Sequence, residues 1–200
     1  MKRYVFAITG ATGQAIGLRV LRELAQTSEL HVLISGQSFS IIRDETGNDF
    51  SGGSPEEITG KIRAFAGSDN ICYYDEKNFA APVSSGSFRT DGMFVVPCSM
   101  KSLAGIANGY SSSLVERAAD VVIKEGRSLV LAPREMPFSA IHLENMLKLA
   151  RLGVKIAPPV MGFYHRPQTI EEMIDFAAGK ILDAMGVEHN IYRRWEGKGF

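Results

Sequence analysis

Short apolar runs alternating with helix-periodic segments constrain the fold of this chain more than any other feature. The runs are Tyr4 to Ile8, His31 to Ile34, Ile71 to Tyr74, Phe94 to Val96, Leu129 to Ala132 and Val154 to Ala157. Continuous apolar runs of this length suit strands buried on both faces of a parallel sheet. Between them, Ile16, Val20, Leu21 and Leu24 share one helix face, as do Leu143, Met146, Leu147 and Ala150. Ile170, Ile174, Ala177, Ile181 and Met185 line a last helix, with Thr169 and Glu172 spaced as its capping box. The expectation is an α/β fold with a mostly parallel sheet covered by helices. The polar, glycine-rich stretch from Gly47 to Gly60 reads as a surface excursion, and the tail after Gly186 carries Tyr192 and Trp195, which disordered tails seldom need.

Composition narrows the function classes. With 200 residues, 45% of them hydrophobic, the chain is long enough for one sizeable core, so residues 1–200 are expected to form one domain. Lys plus Arg and Asp plus Glu both number 22, which leaves no net field for nucleic acid or an anionic membrane. The start Met1 to Ile8 has basic residues but no cleavage site of signal-peptide type, and no run reaches the ~20 apolar residues of a membrane span. Two cysteines, Cys72 and Cys98, make no disulfide framework and fit a reducing cytoplasm.

The chemistry is expected where strands end. In Ser128 to Pro137 an apolar strand runs into Arg134-Glu135, a pair bracketed by Pro133 and Pro137. A guanidinium beside a carboxylate at a strand's carboxyl end can hold a phosphate and move a proton; the alternative is a surface ion pair. The first strand ends in a glycine turn with Gly10, Ala11, Thr12, Gly13 and Gly17, which either holds a phosphate at a helix N-terminus or lets helix and strand pack closely. Its spacing is not G-x-G-x-x-G. The second strand ends in Ser35 rather than a ribose-binding acid, and Asp44 and Glu45 come about ten residues late, which argues against a nicotinamide site. Tyr73 and Lys77 carry a dehydrogenase-like spacing only by coincidence. Pro97 to Ser102 supplies the hydroxyls of Ser99 and Ser102 and the Lys101 ammonium; Cys98 is read as a small buried hydrophobe. The histidines, at 31, 142, 165 and 189, form no ligand pattern, so no metal is expected. All these strand ends converge on one sheet edge, joined by the loop Gly162 to Pro167 and, on the helix after it, by Lys180.

Five segments carry a resemblance: Pro97 to Ser102, Glu116 to Val121, Leu131 to Glu135, Ile141 to Met146, and Gly162 to His165. Together they resemble the UbiX/Pad1 flavin prenyltransferases over nearly the whole chain, most weakly from Gly47 to Gly92. The resemblance implies a Rossmann-like (flavodoxin-type) three-layer sandwich and a homo-oligomer, usually dodecameric, with sites shared between subunits. It implies transfer of a dimethylallyl group from dimethylallyl phosphate to reduced FMN, at N5 and then C6. The product is the prenylated FMN used by a UbiD-type decarboxylase. By position, Gly10, Ala11, Thr12, Ser35, Ser99, Met100, Lys101, Ser102 and Arg134 would bind FMN. Tyr164, Lys180, Arg117 and Lys124 would bind the dimethylallyl phosphate, some of them from a neighbouring subunit. Glu45 and Glu135 match acids with proton-transfer roles, and Trp195 an aromatic near the prenyl group. Thr12 departs from the Ser of many members but keeps the hydroxyl.

The residue types suit that reaction, because ionising an allylic phosphate needs cationic donors for the leaving anion and a π face for the allyl cation. Two other readings share part of the pattern. One is an FMN-dependent decarboxylase of the cysteine-decarboxylating group, against which Tyr164, Lys180 and the Pro-Arg-Glu block argue; the other is a flavin carrier without catalysis.

Overall fold

The computed structural model describes residues 1–195 and 197. In chain order the elements are β1 (Lys2–Ile8), α1 (Gln14–Leu24), β2 (Ser28–Ile34), α2 (Gly36–Thr46), α3 (Pro55–Ala66), β3 (Ile71–Asp75) and a 3₁₀ turn at Pro82–Ser84. There follow β4 (Gly92–Cys98), α4 (Met100–Ala107), α5 (Leu114–Lys124), β5 (Ser128–Pro133), α6 (Ala140–Arg151), β6 (Lys155–Ile156) and α7 (Ile170–Met185). The six strands pair in parallel in the order β3-β2-β1-β4-β5-β6. This is a three-layer α/β sandwich whose winding reverses between β1 and β4, where the two carboxyl ends leave a crevice.

The strand interiors are almost wholly apolar because both faces are covered; Lys2, Arg3, Ser28, Glu29, Asp75 and Ser128 sit at strand ends, and buried His31 is a polar exception inside β2. From β1, Tyr4, Phe6 and Ile8 enter the core under α1, α3 and α7, while Val5 and Ala7 enter the core under α4 and α5. Glycine sets one contact that fixes the crevice. A Cβ on Gly17 would lie 2.4 Å from the Val96 carbonyl oxygen, so only glycine lets α1 sit this close to β4.

Three expectations are corrected. The Gly47 to Gly60 excursion ends early, because Ser54 and Glu57 form a capping box that starts α3 at Pro55. At α7 only half of the expected box forms: Thr169 Oγ1 accepts from the Glu172 amide, while the Glu172 carboxylate takes the Gln168 amide instead. On α6, Leu143 and Leu147 face outward and Leu149 is the residue that reaches the core. Among the described residues no helix is long and apolar enough to cross a membrane.

Candidate active site

β1 and β4 are stitched together where they leave the sheet. Thr9, 1% exposed, donates its hydroxyl to the Pro97 carbonyl at 3.0 Å and accepts from the Ser99 amide at 2.7 Å. Ser99 then caps α4, its Oγ accepting from the Ser102 amide at 3.3 Å and donating to Ser102 Oγ at 3.1 Å. On the other side Ser35 opens α2, with its Oγ 2.8 Å from Ser38 Oγ, and Ser38 donates to the Ile8 carbonyl. Between these ends lies a cleft of about 290 Å³ lined by Gly10, Ser35, Gln37, Ser99, Lys101 and Ser102 among others. The N-terminus of α4 opens onto it, which favours a negatively charged group there, whereas at α2 the Glu76 carboxylate already accepts from the Gly36 amide at 2.9 Å.

Not every expected flavin residue reaches this cleft. Ala11 and Thr12 lie outside its lining, and the Met100 side chain packs on the core beneath α4 instead. The glycine turn does not offer α1's N-terminus to a phosphate, because Glu45 occupies it: one carboxylate oxygen accepts from the Gly13 and Gln14 amides at 3.0 and 2.8 Å. Gln14, fully buried, donates its side-chain amide to the Thr9 and Ala11 carbonyls and so holds the turn.

Arg134 and Glu135 stand one strand further along the edge. The Arg134 amide donates to the Cys98 carbonyl at 3.2 Å, and both side chains are exposed. The Glu135 carboxylate accepts from the Met136 amide, and no ion pair joins it to Arg134 among the described residues, so the pair is not held as a surface salt bridge. Within one subunit the structure does not bring Arg117 and Lys124 to the cleft. Arg117 donates to the Ser84 carbonyl and pairs with Asp120. Lys124 pairs with Glu125 at the far end of α5, about 15 Å along the helix from its start at the carboxyl edge.

A second group forms where the loop after β6 meets α7. The Tyr164 ring is edge-on to Trp195 at 5.9 Å and to Phe176 at 5.6 Å, and His165 stacks on Phe176 at 4.8 Å. Lys180 lies one turn beyond Phe176 on α7, its Nζ 3.8 Å from Asp183. Burial pushes the Cys98 thiol up to about 12, which removes it as a nucleophile at neutral pH. Tyr73 is buried, which disposes of the dehydrogenase-like spacing. Among the described residues no group of three or more His, Cys, Asp or Glu side chains could hold a metal ion.

Sequence reasoning missed Thr9, Gln37, Glu76 and Asp183. Thr9 had a usable signal, being the first residue of the turn after the first strand and a hydroxyl directly before Gly10. Glu76 accepts from the Gly36 amide and fixes α2's first turn, a contact across two strands that no local pattern announces.

A doubly wound parallel sheet with a hydroxyl-lined, helix-flanked cleft at its switch point defines a nucleotide-type cofactor protein. A model of the Flavoprotein family matches residues 1–193, and the chain belongs to that family and, within it, to the flavin prenyltransferases of the UbiX and PAD1 type. It is 46% identical over 197 residues to a probable UbiX-like flavin prenyltransferase of Streptomyces sp. strain D7, covering 98% of this chain and 92% of the relative. Its fold matches AnUbiX (PadA1) solved with FMN and dimethylallyl pyrophosphate, at TM-score 0.89 and 42% identity over 99% of each chain. It also matches a dodecameric FMN-dependent UbiX-like decarboxylase from Escherichia coli O157:H7, at TM-score 0.87 and 44% identity over 98% of this chain and 100% of that one. Peptidyl-cysteine decarboxylase EPID, at 19% identity, TM-score 0.57 and coverage of 81% and 84%, shares the fold alone.

Proposed function

We propose that residues 1–200 act as one flavin prenyltransferase domain that moves the dimethylallyl group of dimethylallyl phosphate onto reduced FMN, and that the product serves a UbiD-type decarboxylase. The observation that carries this reading is the near-complete structural match to a relative solved with FMN and a dimethylallyl phosphoester. The donor set fits the cofactor: the α4 N-terminus, the Ser35, Ser99 and Ser102 hydroxyls and the Lys101 ammonium suit a phosphate and a ribityl chain. Gly10 leaves room beside Gln37, where a Cβ would lie 3.2 Å from the Gln37 Oε1. Arg134, one strand away, would reach the flavin from the β5 side. Reduced FMN, when bound, supplies the nucleophilic N5 and C6 positions.

The chain's own residues would manage charge and protons. Lys180 and the Tyr164 hydroxyl would bind the phosphate, which leaves with the electron pair of the breaking C–O bond. Trp195 would offer a π face to the allyl cation. Glu135, exposed and unpaired with Arg134, or the departing phosphate would take the proton lost on ring closure at C6. Glu45 would act through the α1 N-terminus that it caps.

Arg117 and Lys124 enter this scheme only from another copy of the chain. That fits a homo-oligomer, proposed to be a dodecamer as the Escherichia coli relative is. Exposed Met136, Ile141, Leu143 and Leu147 give it an apolar surface to bury. We place the protein in the cytoplasm, a reading that two free cysteines support.

The test is mass spectrometry of the flavin after incubation with dithionite-reduced FMN and either dimethylallyl phosphate or the pyrophosphate. A prenylated mass with the monophosphate is expected; an unmodified FMN mass with both donors refutes the proposal. The likeness to the Escherichia coli FMN-dependent UbiX-like decarboxylase favours one second reading, direct decarboxylation. It is checked by incubating the purified protein with an aromatic acid and no partner, and no product is expected.

A further inference from the structure

Beyond α7 the chain reverses, and residues 187–195 return along that helix as a strap. Asp183, in the last turn of α7, is the hub that holds it. Its carboxylate accepts from Tyr192 Oη at 2.5 Å, from Arg194 at 2.8 and 3.2 Å, and lies 3.1 Å from His189 Nε2. Lys180, one turn back, places its ammonium 3.8 Å away. Partial burial of the Asp183 carboxyl would raise its pKa, but the hydrogen bonds from Arg194 and Tyr192 outweigh it and hold the group at about 2. The helix is also cut away to receive the strap. A Cβ on Gly179 would lie 2.2 Å from the Tyr192 ring and 2.8 Å from His189, so the rings pack directly on the backbone of α7. Arg194 covers the outer face of Tyr192 at 5.3 Å. The residue after Arg194 is Trp195, which meets Tyr164.

These contacts have one common outcome at the proposed prenyl-donor end. A flexible tail could not keep an indole against Tyr164, because ordering nine backbone residues costs on the order of 1 kcal/mol each. The strap instead carries three charge-assisted hydrogen bonds to one carboxylate. We propose that Asp183 is a positioning residue of the prenyl-donor site: it latches the strap to α7, holds Trp195 against Tyr164 and restrains Lys180 on the same helical face. Asp183 touches neither flavin nor donor in this role. It acts through Trp195 and Lys180, and the proposal rests on the prenyltransferase reading above.

Trp195 is the only tryptophan in the chain, so its fluorescence reports the strap directly. The test compares the full-length wild type with Asp183→Asn, which keeps shape and removes charge, with Asp183→Glu, which restores the carboxylate, and with Gly179→Ala, which displaces Tyr192 without touching any charge. For Asp183→Asn and Gly179→Ala, acrylamide quenching of Trp195 rises and the KM for dimethylallyl phosphate increases about tenfold, the loss of one charge-assisted bond. The FMN dissociation constant and far-ultraviolet dichroism stay at wild-type values, and Asp183→Glu recovers part of the KM. Wild-type quenching in Asp183→Asn, an unchanged KM, or a loss of FMN affinity as large as the loss for the donor would each overturn the proposal. A wild type that leaves FMN unmodified instead defeats the prenyltransferase reading, and this role for Asp183 with it.

Discussion

Replacing Thr9 by Val tests the stitch between β1 and β4 with little change of shape. The wild-type hydroxyl both donates to the Pro97 carbonyl and accepts from the Ser99 amide. Pro97 keeps a second donor, the Thr9 amide at 3.1 Å, so its carbonyl is not orphaned by the change. The Ser99 amide loses its acceptor, at a cost of about 1–3 kcal/mol for a poorly hydrated donor, and the lost donor bond adds about 0.5–1 kcal/mol. The added methyl returns roughly 0.8 kcal/mol. The net loss is about 2 kcal/mol, or about 4–8 °C in Tm for a chain of this size. Ser99 is also the N-cap of α4, so FMN affinity falls with stability. The assay is urea unfolding at one fixed protein concentration, because assembly makes midpoints concentration-dependent, together with flavin titration. Thr9→Ser is the decisive control. It keeps the hydroxyl and loses only a methyl, so packing alone ranks Val at or above wild type and Ser below, whereas the stitch ranks Ser above Val. A Thr9→Val protein more stable than Thr9→Ser, with wild-type FMN affinity, would refute the argument.

Glu135→Gln is expected to retain FMN while losing prenylation or stopping after the first bond; cyclised product at the wild-type rate removes Glu135 from the mechanism. Arg134→Ala should raise the FMN dissociation constant about tenfold, the loss of a charge-assisted contact, and an unchanged value contradicts that role. Leu147→Glu, at a site 51% exposed in the subunit, should leave subunit stability within about 0.5 kcal/mol yet give smaller species in sedimentation velocity. His31 has its pKa lowered, chiefly by burial and against the opposing effect of its hydrogen bond to the Glu29 carboxylate. The unfolded chain therefore protonates first, and the stability His31 contributes above about pH 6.5 is lost as pH falls below it, by up to about 1.4 kcal/mol per pH unit. Urea midpoints from pH 8 to pH 5 should drop more steeply for wild type than for His31→Gln, and parallel curves would exclude His31 as the source.

The strands were legible because their physics is local. With Tyr4, Phe6 and Ile8 entering one core and Val5 and Ala7 the other, every position must be apolar, and such a run announces itself. Of the four helices not read from the sequence, α2 to α5, the first two bury little. α2 puts only Ser38 and Ile42 inside, and α3 only Ile58, Ile62 and Ala66, amid glycine and charge. Strand ends could be named as site residues since topology alone gathers them: Gly10, Ser35, Ser99 and Ser102 needed no long-range information to be placed on one edge. Glu45 and Asp183 are different. The first caps a helix 31 residues upstream; the second gathers donors 6 to 11 residues away, but only because the chain reverses after α7, which no periodicity announces.

Periodicity also marks an apolar face without saying what covers it, and on α6 that ambiguity is informative. Leu143 and Leu147 share the apolar face that the spacing marks, yet that face points outward with Ile141. Phe138, packed edge-on against His142 at 6.5 Å, joins this face to the loop that carries Arg134 and Glu135. The exposed chemistry and the exposed apolar surface are therefore neighbours, while Arg117 and Lys124 point elsewhere in the same subunit. A single subunit thus builds the hydroxyl cleft from Thr9, Ser35 and Ser99 but leaves open the half proposed to handle the proton and bind the phosphate. If assembly closes that half, loss of assembly in Leu147→Glu must carry prenyl transfer down with it. Wild-type turnover by a dissociated subunit would mean that the second half of the site is supplied within one chain.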